Sequence, residues 1–187
     1  GLMAEKIGGP SVKPYQPEGL WAINGGKYVE DTGEDLYRRS MYTLWKRTVP
    51  PPTMNVFDAP DRSYCVVERQ QTNTPLQALA LLNDPQFTEA AKVLAERVLL
   101  EKSGKAAQIR HAFRLLTARE PMEREFEVLQ SLWEQELTKF RENPEKLQGW
   151  LQTGQYEISP KLDPATVGAC TLVASAIMNS DAFMVKR

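Results

Sequence analysis

Histidine is nearly absent. His111 is the single copy in 187 residues, so the chain has little of the side chain most used for proton transfer and metal ligation near neutral pH. With no second histidine and no cysteine close by in sequence, metal or haem ligation and a histidine base are both disfavoured. Cysteine is scarce too. Cys65 and Cys170 lie far apart, match no metal-ligand spacing and form no C-x-x-C-H. They suit either a disulfide or two buried reduced thiols. No nucleophile elbow, phosphate-cradling glycine loop or H-E-x-x-H occurs. The reading therefore assigns no catalytic residue, no metal and no cofactor.

An excess of charge of either sign is also missing. Lys plus Arg number 23 and Asp plus Glu 24, so no net field draws the chain to nucleic acid or to an anionic membrane. The longest apolar-rich run, residues 165–178, is broken by Gly168, Thr171 and Ser175. It is shorter than the roughly 20 residues of a membrane span and reads as a buried helix. No signal-peptide pattern opens the chain, which starts without Met and is expected to be a piece of a longer protein.

Glycine and proline, by contrast, crowd the front. Seven of the 11 glycines fall within residues 1–33 and seven of the 13 prolines before residue 61, which argues against regular structure there. Five of the six tyrosines and two of the four tryptophans also lie in the first 64 positions, unlike a disordered tail. The expectation is an ordered, irregular wrap over residues 1–73 that pins its rings onto a helical body. Within it, the spacing of Tyr37, Met41, Leu44, Trp45 and Thr48 predicts a helix over 34–48. The run 49–52, V-P-P-P, is expected to be extended, and 63–69 to be a short strand.

From Thr74 onward proline acts as a helix-start signal. Pro75, Pro85, Pro121, Pro144 and Pro164 each follow a residue able to cap or abut a helix start. Helices are predicted over 75–83, 85–101, 105–118, 121–142, 145–151 and 164 to about 183. Phe126, Leu129, Trp133, Leu137 and Phe140 form the core stripe of the long one. The last, rich in small residues, is the expected centre of the bundle. The fold class is mainly α: a compact helical bundle with a long ordered irregular N-terminal segment and at most one short strand pair. One domain over 1–187 is expected, with the bundle at 74–187.

Residues 69–87, RQQTNTPLQALALLNDPQF, read as a joint between helices. Thr74 and Gln77 make the T-x-x-Q form of the capping box. The nine-residue helix must be buried by its neighbours, with Leu76, Leu79, Ala80 and Leu82 as the expected means. Gln70, Gln71, Thr72 and Asn73, preceded by Arg69, exceed what one cap requires and keep a binding role open. The candidate binding set is Arg38, Arg39, Asp58, Asp61, Arg62, Arg69 and Asn73. Carboxylates near arginines suit acid–base work on a glycan or an ion-pair network that fixes the wrap, and the network is favoured.

The blocks 6–21, 37–62 and 72–87, with a weaker match over 112–129, resemble the C-terminal domain of secreted planctomycete cytochrome c-type multidomain proteins, known as domain of unknown function 1553. The resemblance implies an exported bacterial protein, secreted, periplasmic or at the cell surface, with an upstream cytochrome-like domain. It supplies no catalytic residues. The expected function is a non-catalytic docking or interaction module whose partners are upstream domains of the same protein, or a cell-surface protein or polysaccharide. The alternative is part of an enzyme acting on extracellular polysaccharide through Asp58, Asp61 and the arginines.

Overall fold

The computed structural model describes residues 1–22, 26–60 and 62–185. The chain is mainly helical, with only isolated β-bridges and no sheet among the described residues. It divides into two compact units, Leu2–Ala80 and Leu81–Arg187, the division falling within the helix Pro75–Asn83. No helix among the described residues is long and apolar enough to cross a membrane.

The first unit holds helices α1 (Pro52–Val56) and most of α2 (Pro75–Asn83). The helix expected over 34–48 does not form; short 3-10 turns at Gly33–Tyr37 and Ser40–Tyr42 stand in its place. Beyond these turns the backbone here pairs with a distant segment. Ala4 N donates to Tyr37 O, Val12 N to Tyr42 O and Leu44 N to Val12 O, giving parallel bridges Ala4–Arg38 and Val12–Thr43. Val12 and Leu36 are the buried apolar side chains of this strip. Residues 63–69 form no strand, and the third proline of V-P-P-P starts α1 rather than continuing an extended run.

In α2 the capping box forms as predicted. Gln77 N donates to Thr74 Oγ1 at 3.3 Å, and Thr74 N to Gln77 Oε1 at 3.0 Å. The expected burial is not met, however, and the one buried leucine is Leu81. Leu76 and Leu79 are each 57% exposed and Leu82 43%, while Gln77 is buried.

The second unit comprises α3 (Pro85–Glu101), α4 (Lys105–Thr117), α5 (Glu123–Glu142), α6 (Glu145–Leu151), α7 (Pro164–Met178) and α8 (Asp181–Met184). Asp84 and Asp163 cap α3 and α7, accepting from Gln86 N and Thr166 N. Helix α5 starts two residues after Pro121, with Met122 N donating to Glu125 Oε2. Helix α7 is the centre, as its small residues predict, and packs on α3, α4, α5, α6 and α8. Val98, Ile109, Phe113, Phe126, Leu129, Trp133, Val173 and Ile177 are among its core. At Gly168 another element comes too close for any side chain, because a Cβ there would overlap Leu147 Cδ1 of α6.

Candidate functional site

Asp58 sits just after α1 with φ +56, a left-handed conformation that aspartate tolerates better than most residues. That turn aims its carboxylate at the following loop. Thr72 donates to it from its backbone N (2.8 Å) and its hydroxyl (2.8 Å), and Gln77 Nε2 from 3.3 Å. The backbone hydrogen bond from Thr72, then its hydroxyl, hold the carboxyl below the usual aspartate range. A carboxylate so placed is a committed acceptor and a poor proton donor at neutral pH.

Arg69 and Arg38 donate to backbone carbonyls. Arg69 donates through Nε to Asp58 O (2.7 Å) and through Nη2 to Phe57 O (2.5 Å). Arg38, buried, donates to the carbonyls of Lys6, Gly8 and Pro10 and stacks its guanidinium 3.9 Å from the Tyr42 ring centroid. Gly9, at φ +96, lies so close to Arg38 that a Cβ would stand 3.3 Å from Nη1. Arg62 lies over the Trp45 ring at 4.8 Å. Among the described residues no ion pair joins Asp58 to an arginine, and the loop carbonyls take the guanidinium donors of Arg38 and Arg69 instead.

The predicted set therefore separates. Asp58 and Arg69 come together, joined by Thr72 and Gln77. Arg38 serves the 6–10 segment, Arg62 serves Trp45, and Arg39 and Asn73 are exposed. Asp61 lies outside the described residues. Gln70 and Gln71 are exposed, so the polar surplus splits between structural duty and open surface. Next to it the apolar side chains face outward: Tyr64 and Val66 are exposed and Val67 fully so. Cys65, on the same stretch, is a free exposed thiol. Cys170 is free and buried, its thiol pushed up to about 12 by that burial. The chain has neither the disulfide nor the buried pair of thiols.

Sequence reasoning missed two further features. The first is a cleft of about 430 Å³ lined by Gln16, Glu18, Trp21, Lys27, Tyr28 and Glu30 among others. The clustering of aromatics in the front third was its signal. The second is buried Lys92 on α3, whose Nζ donates to the carbonyls of Leu151 (3.1 Å), Thr153 (2.6 Å) and Tyr156 (2.8 Å). Glu89 and Glu96, one turn before and after on α3, accept from Tyr156 N and Ser159 N. Burial lowers the Lys92 pKa, and the two glutamates act to raise it. The trio ties the α6–α7 loop to α3, and beside it runs a cleft of about 620 Å³ between Leu151 and Pro164. His111 pairs with Glu101 at 2.7 Å. Among the described residues no group of three His, Cys, Asp or Glu side chains is placed to hold a metal.

A family described as PSD1, a protein of unknown function (DUF1553), matches residues 1–133. No curated protein and no solved structure matches the chain.

Proposed function

We infer that this chain, which belongs to the PSD1 (DUF1553) family of unknown function, acts as a non-catalytic docking module of an exported bacterial protein. The observation behind this reading is a contrast in the first unit. Asp58, Arg69, Thr72 and Gln77 are engaged with each other and with backbone, Gln77 alone among them being buried, while Tyr64, Val66, Val67, Leu76 and Leu79 stand in solvent with large apolar side chains. Exposed large apolar side chains gathered within some fifteen residues mark interaction surfaces more often than they mark active sites. The occupant this reading commits to is a protein segment with an apolar face, from the upstream part of the parent protein that the resemblance implies.

The test is direct binding between this chain and the separately expressed upstream segment, followed by calorimetry. A saturable complex is expected. Leu76→Ser/Leu79→Ser and Val67→Glu are each expected to weaken it at least about tenfold while leaving the melting temperature unchanged. No association at high micromolar concentration, or undiminished binding by both variants, would contradict the reading.

A further inference from the structure

We propose that the cleft lined by Gln16, Glu18, Trp21, Lys27, Tyr28 and Glu30 is a binding site for a neutral saccharide. Two stretches of the first unit build its floor. Lys13 N donates to Asp31 Oδ2 (2.6 Å), Asp31 N to Lys13 O (3.0 Å), Gln16 N to Glu30 Oε1 (3.1 Å) and the Tyr28 hydroxyl to Pro14 O (2.5 Å). These bonds fix Gln16 and Tyr28 on one frame. The Trp21 and Tyr28 rings stand 5.2 Å apart between centroids, tilted by 59°, and Lys46 Nζ lies over the indole at 4.4 Å.

The cleft, about 430 Å³, falls in the range of small-ligand sites. Its lining alternates ring surface with hydrogen-bonding groups of both kinds: the carboxylates of Glu18 and Glu30, the Lys27 ammonium and the Gln16 amide. Two donors of the lining residues, Gln16 Nε2 and Trp21 Nε1, are buried and lack a partner among the described residues. Buried donors are seldom left so without a functional reason. A sugar ring meets these features together, since its C–H face packs on an aromatic ring and its hydroxyls both donate and accept. Phosphate-bearing ligands are opposed by the two carboxylates. A flat heteroaromatic base is poorly served by rings inclined at 59°.

The site shares no residue with the docking surface proposed above, so the two stand or fall separately. The experiment is titration calorimetry of the chain with cellohexaose, xylohexaose and mannohexaose in turn, with inorganic phosphate as the charged control. At least one hexasaccharide is expected to bind with Kd of about 1 mM or tighter, and phosphate not to bind. Trp21→Ala is expected to weaken that binding at least about tenfold, and Glu18→Gln, at an exposed position, about threefold or more with an unchanged melting temperature. Should Trp21→Ala unfold the first unit, Glu18→Gln decides. Absence of binding by all three hexasaccharides up to about 10 mM, or binding that Glu18→Gln leaves intact, would overturn the proposal.

Discussion

At the scale of single residues, Asp58 ties the end of α1 to the loop that precedes α2. Its folded pKa is depressed below the ordinary 3.8, first by the Thr72 backbone hydrogen bond. The contribution is therefore present above the unfolded value and lost as pH falls through the depressed one. Amide exchange at Thr72 is expected to accelerate as the pH drops below about 4, beyond the intrinsic pH effect. Asp58→Ala should cause the same at neutral pH, because it removes the acceptor of the Thr72 amide. Exchange at Thr72 identical in wild type and Asp58→Ala would refute this.

Lys92 is the corresponding residue of the second unit. With 0% of it exposed and three carbonyls plus two glutamates gathered around it, Lys92→Met leaves acceptors without a cation. The expected loss is about 3–5 kcal/mol in chemical denaturation; a loss under about 1 kcal/mol would show the cage to be dispensable. Ala118 runs the other way. It ends α4 at φ +61, a conformation in which a Cβ is unfavourable, so Ala118→Gly is expected to stabilise by up to about 1 kcal/mol.

At the scale of elements, α2 shows why hydrophobic pattern misleads. Of its four leucines only Leu81 is buried, and the other large buried side chain is Gln77. The Gln77 amide donates to Val56 O and to Thr72 Oγ1 and accepts from Thr74 N, contacts that tie it to residues up to 21 positions away. No local periodicity encodes such bonds. Gln77→Ala is expected to cost about 1–3 kcal/mol, whereas Leu76→Ser should stay within about 0.5 kcal/mol; the reverse ranking in urea melts would contradict this contrast. The expected 34–48 helix failed for the same reason, since Ala4 and Val12 capture the Tyr37 and Tyr42 carbonyls that a helix would have used. By contrast, the proline-led starts of α2, α3 and α7 and the small-residue character of α7 were legible, because caps and close approach are local properties. Gly168→Val, which drives methyls into Leu147, is expected to destabilise by about 1–3 kcal/mol.

At the scale of the molecule, the bundle could be read from sequence nearly helix by helix, while the first unit could be read only as aromatic-rich and not disordered. The division has a physical basis. Bundle helices satisfy their backbone within themselves, and their faces repeat every three or four residues. The first unit satisfies its backbone through arginine, aspartate and glutamine side chains and through pairings across tens of residues. The candidate set suffered accordingly: its members were recognisable as polar and clustered, but what each one binds is fixed by non-local geometry. The cleft at Trp21 and Tyr28 was foreshadowed by composition alone, and its position depends on the joining of residues 13–16 to 28–31.

The central claim is that the glycine- and proline-rich first unit holds one fixed path through these long-range bonds. Hydrogen–deuterium exchange resolved to single amides tests it most directly. Protection well above the random-coil rate is predicted at Ala4, Val12, Asp31, Leu44 and Thr72, the donors of those bonds. Exchange at the random-coil rate at these five positions, with the bundle amides still protected, would contradict it.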